Sequence, residues 1–569
     1  MCGIFTLIND TSIFPKSFVN QQFDKGKNRG PEFSTCISLG NDVTFGFHRL
    51  AINGLNDKSN QPFIIDNIAL ICNGEIYNYK ELFKDINITP QTDSDCEVII
   101  HLYKLVGIEQ TLALLDGEFS FVLYDMRITT DNNPTKIFIA RDPLGVKPLY
   151  VLKNHTIDST KFSQYFAFAS ELKMLTEFNN PNYIVDQFTP GTYTLLEKQF
   201  TVSAKWNETI INKPYFLFSH SYTPQMKQFE IEYAIHGIQT HLINAVKKRY
   251  LNSERPIACL LSGGLDSSLI TALVVNIHKE YSSTPIETYS IGLKNSEDLV
   301  FAKIVADYLG TNHTEIIVTE QEMLNAIPDV IYNIESYDTT TVRASIGNYL
   351  LGKYISQNSD AKVIFNGDGA DELCGGYLYM NKAPNAIEFD MEIRRLLTDI
   401  HKYDVLRSDK CICSHGLESR PPFLDKHFVN FYLTLPCSLR MHQNMNKCEK
   451  FLLRHSFSFL NYSPNDKQLL PDSVLWRKKE AFSDGVSGST RSLYTIIQEF
   501  ADATIHTDPD NIYLHNPPKT KEQLYYRQLF NTFFPHLENV VPYFWMPKFI
   551  EATDPSARTL SFYNERPIL

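Results

Sequence analysis

No hydrophobic run in this 569-residue chain is long enough to cross a bilayer. Stretches such as Ile68–Cys72 stop after five apolar residues, where a spanning helix needs roughly 20. The start has no charged segment leading into a long apolar core, so no secretory signal is expected. The ten cysteines are scattered without a CxxC, and Cys411 and Cys413 are separated by a single residue, too few for a zinc knuckle. Reduced thiols in a cytoplasmic protein are the expectation. None of the sixteen histidines forms an HExxH pair, which removes support for a zincin-type metal site. No block of basic residues appears. The balance of 53 Lys and Arg against 65 Asp and Glu gives a net charge of −12, which argues against a nucleic-acid-binding surface. No repeat or low-complexity tract stands out. What remains is ordinary globular composition at a length too great for one core, so two or three domains are expected.

The first third is rich in short strand candidates: Cys2–Ile8, Val43–Leu50, Ile68–Cys72, Phe119–Tyr124, Lys136–Ala140 and finally Pro190–Leu195. One helix interrupts them, Asp95–Val106, with Val98, Ile99, Leu102, Tyr103 and Val106 at helical spacing. This predicts a strand-dominated α+β layer structure over residues 1–196. The polar stretch 197–228, with Pro214 and Pro224, reads as a linker. From 229 to 569 the pattern changes. After an amphipathic helix carrying Ile231, Ile235, Ile238, Leu242 and Val246, strands and helices alternate: 257–261, 267–278, 287–291, 299–309, 314–318, 320–334, 344–355 and 362–365. Such alternation predicts a parallel, doubly wound α/β sheet with its site at the carboxyl ends of the strands.

Cys2 carries the first chemical signal. If Met1 is trimmed, the thiol and a free α-amine share one residue, and an α-amine titrates near 8, close enough to working pH to act as base. Asn73 and Gly74 follow a buried strand, where a side-chain amide and a backbone N–H can stabilise an oxyanion; an Asn-Gly hairpin turn is the plainer use. Arg49 ends a strand and suits a carboxylate, or a surface ion pair. Asp95 begins a helix, as an N-cap or as a partner for an ammonium group.

The second signal is Ser262-Gly263-Gly264-Leu265-Asp266-Ser267, between a strand and a helix. Its backbone N–H groups form an anion nest at a helix N-terminus, and no Walker A lysine is present. Asn366-Gly367-Asp368-Gly369-Ala370-Asp371-Glu372 ends another strand of the same sheet. Asp266 and Asp371 are then placed to share Mg²⁺. Lys479 offers a charge for phosphoryl oxygens.

With Arg29-Gly30-Pro31, His48–Ile52, Asn73–Asn78 and Ser94–Glu97, the N-terminal part resembles the class II glutamine amidotransferases, N-terminal-nucleophile hydrolases built as an αββα sandwich. The resemblance implies Cys2 as nucleophile, Asn73 and Gly74 as oxyanion hole, and glutamine held by Arg49, Leu50, Ala51, Ile52, Asn53, Glu75 and Asp95. Glu32 stands where that family commonly has Asp. The Gly-rich loop resembles the PP-loop of ATP pyrophosphatases, which split ATP between the α and β phosphates. Segments Tyr337–Ser345, Gly375–Tyr379, Lys382–Ala386, Arg420–Asp425 and Phe482–Gly485 extend a resemblance to the glutamine-hydrolysing asparagine synthetase family nearly end to end. That resemblance implies ATP and Mg²⁺ as substrate and cofactor, with Leu261, Ser262, Gly263, Gly264, Asp266, Ser267, Ile291, Asn366 and Gly367 around ATP. It puts Thr341 and Arg343 at aspartate, and Asp368 and Lys479 in the chemistry. Asn366 replaces the family's usual Ser. It further implies a dry passage for ammonia between two sites, small-molecule partners only, and compatibility with a homodimer. The rivals are an amidotransferase acting on another carboxylate and a non-catalytic scaffold of the same fold, against which the intact Cys2, Arg49, Asn73, Asp95, Asp266 and Asp371 argue.

Overall fold

A computed structural model of the chain describes residues 2–8, 13–127, 134–154, 165–198, 205–220, 228–445, 447–477, 479, 485–487, 491–507, 513–556 and 559–560. Two six-stranded antiparallel sheets form the N-terminal part. The first runs in the order Tyr183–Gln187, Tyr150–Asn154, Phe166–Ala169, Gly3–Ile8, Val43–Arg49, Phe33–Leu39. The second runs Trp206–Pro214, Thr192–Lys198, Thr135–Arg141, Gly117–Asp125, Ile68–Ile76, Phe63–Ile65. The period-2 alternation of side chains explains the stacking. Ile4, Ile8, Phe45 and Phe47 of the first sheet meet Ala69, Ile71, Val122 and Ile139 of the second in one buried cluster. The opposite faces of those strands point away from it. Leu70, Cys72, Phe121 and Leu123 pack on the helices Tyr79–Asp85 and Val98–Leu114, while Phe5 and Leu7 pack outward with Val19 and Phe23. This is the expected αββα layering.

Two expectations on this part need adjustment. The strand expected to end the sheet is followed by another, Trp206–Pro214, inside the stretch read as linker; it pairs antiparallel with Thr192–Lys198 at the sheet edge. Its period-2 pattern was hidden because nearly all its side chains after Trp206 are partly or fully exposed. The helix expected from Asp95 begins as a 3₁₀ turn, Asp95–Glu97, and continues to Leu114 past Gly107, whose φ of 75° breaks the regular helix.

The helix Gln228–Leu251 leads into a five-stranded parallel sheet, in the order Asn312–Val318, Glu287–Leu293, Ile257–Leu260, Val363–Phe365, Glu418–Arg420. Both faces are covered, as a parallel sheet requires. Cys259 and Leu261 pack to one side with the helix Leu265–His278, and Ala258 and Leu260 to the other with the helices Glu320–Ile334 and Thr339–Asn358. The fifth strand, Glu418–Arg420, was not expected; three residues carry no periodicity. Strand order reverses beside Ile257–Leu260, and the Gly-rich loop sits there at its carboxyl end. Among the described residues no helix is long and apolar enough to cross a membrane.

Candidate active sites

The first site forms where the two antiparallel sheets converge. Cys2 stands at the start of the central strand, and its backbone N–H donates to Asn73 Oδ1 at 3.0 Å. Asn73 and Gly74 lie within the strand Ile68–Ile76, not in a turn. Asn73 is fully buried, and its Nδ2 has no partner among the described residues. A buried, unpartnered amide N–H beside a thiol is the donor an oxyanion needs. Gly74 permits the close approach: a Cβ there would lie 2.4 Å from the Glu118 carbonyl oxygen. The Cys2 thiol faces the Leu50 carbonyl at 3.8 Å, and burial pushes it up to about 11, so it rests as a neutral thiol that needs a base. Arg29 holds the Cys2 carbonyl through Nε at 3.0 Å. Its Nη1 binds Glu171 at 2.8 Å and Asp409 at 2.7 Å, both buried. Gly30 passes so close to the strand Val43–Arg49 that a Cβ would lie 2.4 Å from Arg49 N.

Arg49 reaches over the loop that follows it, donating to the Asn56 carbonyl at 3.0 Å, Asn60 Oδ1 at 2.7 Å, and the carbonyls of Asn53 and Gly54. The loop Leu50–Asn53 is thereby wrapped around the guanidinium. Asp95 is not the cap of its helical turn; Ser94 accepts from Cys96 N instead. The Asp95 carboxylate turns inward and accepts from Ile76 N at 2.6 Å, and burial raises it to about 6. Glu75 Oε2 accepts from Asn53 Nδ2 at 2.6 Å and Asn252 Nδ2 at 2.9 Å, with Arg420 at 3.3 Å. Of the residues expected here, Cys2 meets Asn73 and Leu50, Asn53 meets Glu75, and Asp95 meets Ile76 beside Glu75.

The second site is a cavity of about 180 Å³ at the carboxyl end of the parallel sheet. Leu261, Ser262, Gly264, Asp266, Ser267, Ile291, Asn366 and Gly367 line it. Gly263 has φ +73°, and a Cβ there would lie 2.3 Å from Ala302 N, so only glycine turns this corner. Ser262 and Ser267 join hydroxyls at 3.0 Å across the loop. Gly367 packs on the same loop, where a Cβ would lie 2.7 Å from Ser267 N. Asn366 donates to Ser408 and Ser419 hydroxyls, each at 2.9 Å, and accepts from Asp368 N at 3.2 Å. Its amide braces the end of the strand.

The residue that unites the acidic pair carries no motif in the sequence. Lys450, whose side chain is fully buried, donates through Nζ to both oxygens of Asp266 at 2.7 Å and to Asp371 at 2.6 Å. Lys479 adds a contact to Asp371 at 2.5 Å and one to Asp266 at 3.8 Å. Burial would raise the Asp371 carboxyl, but the two ammonium groups outweigh it and hold it well below the usual range. Two carboxylates converging beside a phosphate-type loop are a donor set that fits a hard divalent ion. No cluster of three or more metal-ligating side chains occurs among the described residues, so phosphate oxygens or water would complete any coordination shell.

The two residues expected at aspartate stand outside the cavity wall. Thr341 gives its N–H and hydroxyl to Asp338, at 2.9 and 2.8 Å, as part of a helix cap. Arg343 is buried against Glu522 at 2.7 Å and Asp554 at 2.7 Å. Neither lines the cavity. At 100° per residue the helix Thr339–Asn358 presents a different stripe, Thr340, Ala344 and Asn348. Opposite that stripe lies an unforeseen group: Arg407 donates to Asp368 Oδ1 at 3.0 Å and to Asp404 at 3.4 Å, and Glu372 meets Asp404 as a carboxyl pair. Burial, with the neighbouring carboxylate, raises Glu372 well above its ordinary value. Asp368 Oδ2 is buried without a partner among the described residues. Phe482, Ser483 and Asp484 of the sequence resemblance lie outside the described residues.

The glutamine amidotransferase domain family matches residues 1–212, and the asparagine synthase family matches 237–392 and 381–547. Whole-length relatives include asparagine synthetase [glutamine-hydrolyzing] of Gallus gallus, 40% identical over 583 residues, with 99% of each chain covered. Those of Homo sapiens and Mus musculus are 39% and 38% identical over the same share of both chains. By its matched domains and by its likeness along the whole length, the chain belongs to the glutamine-hydrolysing asparagine synthetase family.

Proposed function

We propose that this protein makes L-asparagine from L-aspartate, drawing ammonia from L-glutamine and energy from ATP. The observation that carries the proposal is the pairing, in one chain of whole-length likeness to glutamine-hydrolysing asparagine synthetases, of an intact thiol–amide site with an intact phosphate-loop cavity. The two chemistries divide between residues up to Pro214 and residues from Gln228 onward.

In the first half, removal of Met1 frees the Cys2 amine, which takes the thiol proton. The thiolate attacks the glutamine side-chain amide. Asn73 Nδ2 and the Gly74 N–H receive the oxyanion, and ammonia leaves a thioester that water converts to glutamate. Arg49 and Asp95 suit the α-carboxylate and α-ammonium of glutamine. In the second half, the loop Ser262–Ser267 holds ATP phosphates, with Leu261, Ile291 and Gly367 around the nucleoside. The β-carboxylate of aspartate attacks the α-phosphorus and pyrophosphate leaves, giving β-aspartyl-AMP. Ammonia crosses between the halves, attacks the activated carbonyl and displaces AMP. Asp368, with a free acceptor oxygen, takes the proton that the attacking nitrogen must lose. Asp266 and Asp371 would hold Mg²⁺, which supplies charge neutralisation to the leaving pyrophosphate, and Lys450 and Lys479 add to it. In place of Thr341 and Arg343, Arg407 suits the aspartate α-carboxylate and the Glu372–Asp404 pair its α-ammonium. The same reading includes a cytoplasmic location and a homodimer, which sedimentation tests.

Purified protein incubated with aspartate, glutamine and MgATP should yield asparagine, glutamate, AMP and pyrophosphate in equal amounts. ADP in place of AMP would refute the adenylate route. Cys2→Ala should abolish glutamine use and leave ammonia-dependent synthesis intact; loss of both refutes the division of labour.

A further inference from the structure

Glu32 joins the two halves of the chain. Its Oε2 accepts from Ala51 N at 2.7 Å, inside the loop that follows Arg49, and its Oε1 accepts from Arg255 Nη2 at 2.8 Å, from the other half of the chain. Arg255 belongs to the short segment between the helix Gln228–Leu251 and the strand Ile257–Leu260. That segment touches the same loop repeatedly. The Glu254 N–H donates to the Ile52 carbonyl at 3.1 Å, and Gly54 N donates to Glu254 Oε1 at 3.2 Å. Asn53 Nδ2 approaches the Asn252 carbonyl at 3.4 Å, and Asn252 Nδ2 donates to Glu75 Oε2 at 2.9 Å. Ser253 shapes the turn by exchanging bonds with Arg255 at 2.9 and 3.1 Å. At its far end the Pro256 carbonyl accepts from Lys362 N at 3.0 Å, tying the segment to the parallel sheet.

We infer that Asn252–Arg255 is a strap from the ATP-handling half that positions the glutamine-binding loop Leu50–Gly54 and the Glu75 carboxylate, with Glu32 as its latch. Arg49 holds the loop from within through the carbonyls of Asn53 and Gly54, and the strap holds it from without. Neither the strap nor Glu32 touches a reacting atom; they act on the shape of the pocket. The one carboxylate of Glu32 bridges Ala51 and Arg255. The strap also runs directly into the strand that ends at the Ser262–Ser267 loop, so the two sites share one piece of backbone. The inference rests on the reading of Arg49–Asn53 as the glutamine pocket.

The test is steady-state kinetics of the full-length protein with glutamine and, separately, with ammonium chloride. Arg255→Ala and Glu32→Asp should each raise the glutamine KM about three- to fivefold, the range for a partly exposed ion pair. The double variant should be no worse than Glu32→Asp alone, because shortening Glu32 already removes the contact to Arg255. Asn252→Ala removes a donor from a buried carboxylate and should raise the KM about tenfold. Arg255→Lys should recover most of the loss. Glutamine kcat and the ammonia-dependent rate should stay within twofold in every case. If wild-type protein hydrolyses glutamine but the variants keep its KM, the strap is refuted alone. If the ammonia rate falls in step with the glutamine rate, the segment is only a structural joint and the inference is overturned. Wild-type protein that does not hydrolyse glutamine refutes the pocket reading itself.

Discussion

Replacing Lys450 with methionine removes a buried ammonium and keeps its volume. Three charge-assisted bonds disappear, at 2.7, 2.7 and 2.6 Å, and the Asp266 and Asp371 carboxylates are left facing each other. Removing one partner from a buried ionic group costs about 3–5 kcal/mol. Lys479 still meets Asp371 at 2.5 Å, and the two carboxylates keep some solvent contact, at 14% and 17% exposure. The low end, about 3 kcal/mol, is therefore expected. For a domain of this size that lowers Tm by about 4 °C. If the same energy is lost in binding the pyrophosphate, synthesis falls about 100-fold. The pH dependence has a definite sign. Asp371 is held below its ordinary value, so it adds stability that is complete above about pH 4 and disappears as the pH falls through its depressed folded value. Lys450 is raised above its ordinary value, so its contribution is complete below about pH 10 and is lost only in stronger alkali. Lys450→Met should therefore remove stability across the whole neutral range and flatten the acid limb of the Tm–pH curve. Differential scanning calorimetry and a pyrophosphate-release assay measure both effects, with glutamine hydrolysis as the internal control. A variant with Tm within 1 °C of wild type and synthesis within threefold would refute the assignment of Lys450 as the cation that joins the pair.

Two further predictions concern the substrates. Asp95, raised by burial to about 6, loses its negative charge as the pH falls through that value, so glutamine KM should climb below pH 6; Asp95→Asn should raise KM at least tenfold at pH 8 and abolish this pH limb, as a KM–pH profile will show. Arg407→Ala removes the donor to Asp368 and leaves the Glu372–Asp404 pair without its cation; aspartate KM should rise about 100-fold with ATP KM nearly unchanged, whereas Arg343→Lys, away from the cavity, should lower stability more than it changes aspartate KM.

The elements that local chemistry dictates were readable. The helix Glu320–Ile334 matches its expected bounds because Thr319 and Glu322 form a capping box on an amphipathic run. The Gly-rich loop was readable because Gly263 alone tolerates its φ and its neighbour's approach. Glu418–Arg420 was not, since a three-residue strand is created by its parallel partner Val363–Phe365. Lys450 was not, because it lies in a loop 184 residues from Asp266, without a motif around it.

Local sequence settles which reactive groups the chain owns and the backbone that presents them: a cysteine at position 2, an amide and a glycine on a strand, a glycine corner opening a helix. These depend on residues adjacent in the chain. Tertiary structure alone decided which charges face which. It turned Arg343 into a buried brace for Glu522 and Asp554, brought Lys450 and Arg407 to the cavity, and laid Asn252–Arg255 across the loop beside Cys2. The reason is physical: a charged side chain is placed by whichever distant partner offsets the loss of its hydration, and that partner is fixed only when the sheets close.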